Sequence, residues 1–318
     1  MRLTFREKEI LAVLKKEPLI SQDELANRFG ITRSSVAVHI SNLMKKGVIL
    51  GKGYVFTEQV SIVVVGKSFL RIDITEAENI IINAQYGGFA LETSRAFADL
   101  GVNIKIITII GNDELGTDVL SELQAKDIDI SNVYRHPQKR SCRRVYVNGR
   151  VKYEEGFSTG DYEKTINARE WVVFNCNWLV IEPGFQENLI KKAMSKNEEK
   201  LPYFCSHRFL TFPEEIPEYL FKYFVVILGV KDPQDVEFYV KEVADRINDN
   251  QNFIITDGNT KVVYFNNRTA TDFPLLPNQC FDSKSNLSFL LAGIIYGLSY
   301  GYPIRQVIRM GVGTASSN

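Results

Sequence analysis

The 318-residue sequence predicts two folded units: a small α+β unit of three helices and a hairpin over residues 1–57, and an α/β unit on a mainly parallel sheet over residues 60–318. Three observations carry this reading. Helix caps and breakers punctuate the first fifty residues at short intervals. From Ser61 onward, short apolar runs alternate with helical patterns, as they do in a parallel sheet covered on both faces. Charge is split as well: the whole chain is neutral, yet residues 1–57 carry an excess of five positive charges, so the remainder is acidic.

In the first unit, Thr4 with Glu7 and Ser21 with Glu24 have capping-box spacing, and each precedes a run with apolar residues at helical intervals. Pro18 stops the first helix. Gly30 supplies the turn after the second, and Thr32 caps the third. Val36, Ile40 and Leu43 then face inward, leaving Arg33, Ser34, Ser35, His39 and Asn42 outward. A helix, a tight glycine turn and a second helix with small hydrogen-bonding residues and one Arg suit entry into a DNA major groove. Residues 48–56 form a hairpin with Gly51, Lys52 and Gly53 at its tip, where Lys52 would meet the phosphate backbone. The segment resembles winged-helix regulators of the DeoR and MarR type, which implies double-stranded DNA as partner. A three-helix protein-interaction unit is the alternative.

In the second unit, residues 61–66, 104–110, 224–228 and 253–256 read as strands, and residues 118–126 and 236–247 as helices. Residues 145–153 differ: two short runs flank Asn148-Gly149, a hairpin signal that makes this segment a candidate lid.

Composition is that of an ordinary globular protein, 45% hydrophobic and 24% charged. The longest apolar stretch, residues 289–300, is too short to span a bilayer and is broken by glycines. The N-terminus is charged where a signal peptide needs an apolar core. Cys142, Cys176, Cys205 and Cys280 are scattered without metal-ligand spacing, so the expectation is a cytoplasmic protein with free thiols and no metal cluster.

Two stretches carry a family resemblance. Gly87-Gly88-Phe89-Ala90-Leu91-Glu92 opens a helix that ends at Leu100-Gly101, and Ile109-Ile110-Gly111-Asn112-Asp113 with Gly116 follows. Near the C-terminus stands Asp282-Ser283-Lys284-Ser285-Asn286-Leu287-Ser288, ahead of an apolar helix. From residue 60 to the end the chain resembles the ribokinase-like (PfkB) carbohydrate kinases. The resemblance implies a parallel-sheet sandwich with a small β lid, a sugar or nucleoside ligand, and ATP with Mg2+ in an active member.

The chemistry that the resemblance implies is altered. In the family, three positions corresponding to Ser285, Asn286 and Leu287 offer small-residue amides to the transferring phosphoryl group, and a carboxylate base stands where this chain has Ser288. A serine hydroxyl is no base near neutral pH without an activating partner, and none is evident in the sequence. Asp282, six positions upstream, is the fallback. Sugar-gripping positions are also changed: Arg71, with Asp73 two residues on, replaces an Asp, and Glu92 replaces an Asn. The magnesium-placing Asn-x-x-Glu pattern appears as Gly229 to Asp232, and the nucleotide-side Gly-x-x-Gly as Gly258 to Lys261.

The expectation is a regulator with a degenerate sugar-kinase fold, acting as a homodimer; an active sugar or nucleoside kinase carrying a DNA-binding domain is the alternative. Its ligand residues would be Arg71, Asp73, Gly87, Gly88, Glu92, Asp282, Lys284 and Ser285. A sugar phosphate would rest on Lys284, on the helix N-terminus beside it and on Arg71. His136 and His207 read as surface or loop residues, and Trp171 and Trp178 as core or interface anchors. The run Lys139, Arg140, Arg143 and Arg144 reads as a solvated basic face.

Overall fold

The computed structural model describes the chain except residues 1–2, 18–19, 47, 52–54, 57–59, 77–79, 187–188, 191, 193–200 and 318. It divides into two compact units, Met1–Gln59 and Val60–Asn318. The expected linker at residues 57–59 and the roles given to Pro18 and Lys52 lie outside the described residues.

The first unit has helices α1 (Phe5–Lys16), α2 (Gln22–Phe29) and α3 (Arg33–Lys45), followed by strands β1 (Ile49–Gly51) and β2 (Val55–Phe56), which pair antiparallel. Both capping boxes form, Gly30 takes the left-handed conformation at φ 60°, and the Thr32 side chain accepts from the Ser35 amide. Ile10, Leu14, Leu25, Val36, Ile40, Leu43 and Ile49 pack into one core. The polar tie is Glu7. It is buried, caps α1 through Thr4, and accepts from Lys46 Nζ at 2.6 Å, fixing the first helix to the end of the third.

The second unit is built on an eight-stranded sheet. Its strands in chain order are β3 (Ile62–Val65), β6 (Ile104–Ile107), β11 (Trp178–Ile181), β12 (Tyr203–Phe209), β13 (Val225–Gly229), β14 (Asn252–Thr256), β15 (Lys261–Asn266) and β16 (Thr269–Pro274). Their order across the sheet is β16-β15-β14-β13-β12-β11-β3-β6, parallel except where β15 and β16 turn back at one edge. Residues of β3 alternate between two apolar layers, Val63 and Val65 on one face, Ile62 and Val64 on the other. Helices α6 (Thr159–Ala168), α7 (Glu170–Phe174) and α8 (Pro233–Arg246) supply the first layer. Helices α4 (Phe89–Asp99), α5 (Glu114–Ala125), α9 (Leu287–Ser299) and α10 (Ile304–Ser316) supply the second.

Three expectations are corrected. The lid is no lone hairpin: β9 (Cys142–Val147) and β10 (Arg150–Glu155) join β4 (Phe69–Glu76) and β5 (Ile80–Gly87) in a four-stranded sheet. Strand β4 pairs parallel with β9 from Phe69↔Cys142 to Ile74↔Val147 and antiparallel with β5 along its whole length. Second, the strand expected at 104–110 breaks at buried Thr108. Its hydroxyl bonds to that of Ser68 and its carbonyl accepts from Tyr134, so β7 (Ile109–Gly111) leaves to pair with β8 (Tyr134–His136). Third, Trp171 is 52% exposed, so only Trp178 is a core anchor. Helices α5 and α8 also begin earlier than expected, because Asp113 and Asp232 cap them.

Burial alone would raise the Glu7 pKa, but hydrogen bonds from Lys46 and Thr4 outweigh it and hold the carboxyl below its usual 4.5. Its contribution is therefore complete above about pH 4.5 and is lost as the pH falls through the lowered folded-state value. Glu7→Gln leaves Lys46 without its counter-charge and should destabilise the first unit by roughly 3 kcal/mol. Native-state hydrogen exchange of the α1 and α3 amides reads this in the full chain; unchanged protection would contradict the tie.

Candidate functional site

On the first unit the exposed side of α3 is the candidate surface. Arg33 is exposed and stands 3.7 Å from an equally exposed Asp23, a weak pairing that leaves the guanidinium free to engage a ligand. The hydroxyls of Ser34 and Ser35 both reach Thr32 Oγ1, at 2.9 and 2.8 Å, so they belong partly to the cap. His39 and Asn42 are half-buried rather than outward, and His39 Nδ1 is enclosed without a hydrogen bond. The helix rotates its outer face instead through Val38 (58% exposed), Ser41, Met44 and Lys45. Apolar groups on such a face suit contact with thymine methyls.

On the second unit, the carboxyl ends of the central strands meet the N-termini of α4 and α9. Gly66, just after β3, sits so close to its neighbours that a Cβ would come within 2.9 Å of the Phe89 ring and 3.0 Å of Glu182 Oε2. Glu182, just after β11, accepts from the Lys67 amide at 2.6 Å, and burial raises its pKa. Phe89 stacks on His207 with centroids 4.7 Å apart. His207 Nε2 lies 2.9 Å from Ser288 Oγ, which also accepts from Thr93 at 3.3 Å. His207 is thus no surface residue; burial lowers its pKa to about 3 and keeps the ring neutral.

The turn before α9 is closed upon itself. Asp282 Oδ1 accepts from the amides of Lys284 and Ser285, at 2.8 and 2.7 Å, and the Asp282 carbonyl accepts from the Asn286 amide. The turn also presses on the sheet: a Cβ at Gly229 would lie 2.1 Å from Ser283 O, and one at Gly258 2.2 Å from Phe281 O. Ser283 Oγ donates to Val230 O at 2.6 Å. The expected row of unpaired amides is therefore corrected: those of Lys284, Ser285 and Asn286 are spent on Asp282. Lys284 is exposed and stands over the Phe209 ring.

The remaining expected ligand residues fall in a second group. Gly88 takes φ 103° because a side chain there would strike Lys67 O, and its amide donates to Glu92 Oε1 at 3.1 Å. Glu92 also lies beside Gly87. Arg71 is no free cation: it grips Asp73 with two nitrogens, at 2.6 and 3.1 Å, and lies on the Tyr146 ring. The basic run is corrected too. Lys139, Arg143 and Arg144 line a pocket of about 260 Å³ with Lys67, Phe69, Cys142, Glu154, Glu155, Phe157, Ser158 and Tyr162.

Asp113 explains why its motif is there. Its carboxylate takes the Ser141 hydroxyl at 2.6 Å and the amides of Ser141 and Gly116 at 3.0 Å each, with Arg143 at 3.4 Å. This ties the start of lid strand β9 to the cap of α5. Burial would raise the Asp113 pKa, but these donors lower it overall.

Residues 6–49 match the family described as winged helix-turn-helix DNA-binding, and residues 61–172 match the pfkB family of carbohydrate kinases. The chain is a winged helix-turn-helix unit followed by a ribokinase-like carbohydrate-kinase unit. An Escherichia coli K12 protein named as the uncharacterized sugar kinase YeiI is 39% identical over 154 residues. That match covers 45% of this chain and 42% of the relative, so the chain spans less than half of the relative's length. Among solved structures, ribokinase from Cryptococcus neoformans var. grubii in complex with ADP has a TM-score of 0.60 at 12% identity. It covers 81% of this chain and 93% of its own. The nucleoside kinase of Burkholderia thailandensis in complex with inosine has a TM-score of 0.60 at 11% identity, covering 80% and 89%. At these identities the likeness establishes the fold of the ribokinase-like unit alone.

Proposed function

We propose that this chain is a DNA-binding transcriptional regulator whose ribokinase-like unit senses a small sugar or nucleoside ligand without phosphorylating it. The observation that carries the reading is the environment of Ser288. A phosphoryl-transfer base must take a proton from the acceptor hydroxyl, and here the position holds a buried hydroxyl bonded to His207 and Thr93. Passing a proton on to His207 would create an imidazolium in a desolvated place with no carboxylate bonded to it among the described residues. The amides of the adjoining turn are turned onto Asp282, which as their acceptor is itself committed and exposed.

The DNA reading rests on the winged helix-turn-helix match, the excess positive charge and the outer face of α3. Two copies in a homodimer would read two half-sites. The second reading is an active kinase using ATP and Mg2+. What favours it is the Ser288 to His207 hydrogen bond, which would then serve as a relay, together with the name of the YeiI relative.

Two outcomes are expected. With ATP, Mg2+ and a panel of pentoses, hexoses and nucleosides, a coupled ADP assay should give no turnover above background. Turnover that disappears in His207→Gln would promote the kinase reading. Arg33→Ala should weaken a duplex selected from random sequence by about 1–3 kcal/mol, as for loss of one base-reading arginine. Fluorescence anisotropy of the full chain measures this, and an unaltered affinity would remove Arg33 from the interface.

A further inference from the structure

Two buried donors in the ribokinase-like unit point at nothing. The Tyr162 side chain is 2% exposed and its hydroxyl makes no hydrogen bond; Arg144 Nε is equally enclosed and equally unbonded. Enclosed polar groups are nearly always satisfied, and leaving one bare costs about 1–3 kcal/mol. Both residues line the same 260 Å³ pocket between the lid strands and the body. A third donor joins them. The Lys67 ammonium closes no ion pair among the described residues and stands 5.9 Å over the Phe185 ring.

The other charges of the pocket are already matched. Lys139 is held by Asp161, Arg143 by Glu155 and the guanidinium end of Arg144 by Glu154. Glu154 and Glu155 are therefore neutralised as acceptors, and the surplus on the wall is of donors. Glu182, the acid beside the Lys67 backbone, is buried with a raised pKa, which weakens its hold on the ammonium. Phe69, Phe157 and the Tyr162 ring supply apolar faces on which the C–H side of a sugar ring can lie.

We infer that this pocket takes a sugar-sized ligand bearing an oxyanion, a phosphate ester or a carboxylate, whose oxygens accept from Tyr162 Oη, Arg144 Nε and Lys67 Nζ. The inference rests on the sensing role of the cleft and names the chemical class of its ligand. It moves the anion from Lys284 and Arg71, which the hydrogen bonds of Asp282 and Asp73 exclude, to the far side of the lid's first strand. The run Lys139 to Arg144 brings its charge to that wall because Asp113 anchors Ser141 at the base of β9.

Isothermal titration of the full chain tests it, with ribose 5-phosphate and glucose 6-phosphate, the acids ribonate and gluconate, the parent sugars, and inorganic phosphate. At least one charged member should bind no less than tenfold more tightly than its parent, and the phosphate and carboxylate arms tell the two oxyanions apart. Lys67→Met should weaken that binding at least tenfold and Tyr162→Phe severalfold, with unchanged melting temperatures. Should Lys67→Met fail to fold, the wild-type affinity for the charged member should fall with added salt while that for its parent stays level. Neutral parents that bind as tightly as their charged forms would sink the anion and leave the sensing role standing. Binding that both variants leave intact would sink the assignment of these donors. No binding by any member of the panel would sink both readings.

Discussion

The carboxylate of Asp282 is the constraint on which the cleft depends. It takes the amides of Lys284 and Ser285, so the turn ahead of α9 satisfies its own donors. The turn is then pressed so tightly on Gly229 and Gly258 that it has no room to open inward. Helix α9 starts from that fixed point, which places Ser288 against His207 and Thr93. A site arranged in this way holds its shape well and handles a transient charge badly. Electrostatic catalysis needs donors that wait unpaired for the transition state, and here they are already occupied.

The lid shows the opposite pattern. Its strand β9 is anchored by Asp113 and its charges are paired on one side, yet Tyr162 Oη, Arg144 Nε and Lys67 Nζ are left without acceptors. Donors that are bare in the free protein are what a ligand can satisfy. The ribokinase-like fold has kept a place for a small molecule while the turn beside α9 has become self-contained. A ligand at the lid changes the protein only to the extent that it binds two arrangements of the lid differently.

Much of the fold was legible in the sequence because its signals are local. The Thr4–Glu7 and Ser21–Glu24 boxes, Gly30 and the Gly87-Gly88 turn each act within a few residues, and each forms as read. What was not legible is non-local. Ser288 meets His207 across 81 positions and Thr93 across 195, and no spacing rule announces such contacts. Strand β4 alternates polar and apolar residues, but its partners lie on both sides in a separate sheet, and β5 shows no alternation at all. The basic run at Lys139 read as solvated because its counter-ions Glu154, Glu155 and Asp161 arrive from a later strand and helix. The sites at Lys284 and Arg71 failed for a related reason: Asp282 and Asp73, their near neighbours in the chain, turned out to be their partners or to hold their amides.

The central claim is that occupancy of the ribokinase-like unit is read out as DNA affinity. The most direct measurement is the dissociation constant of the full chain for its selected duplex, at fixed salt, with the cleft empty and then saturated as monitored by calorimetry. Coupling of about 1–3 kcal/mol would change that constant by roughly 5- to 150-fold, and Lys67→Met should abolish the change at the same ligand concentration. A constant that stays the same when the cleft is demonstrably full would contradict the account.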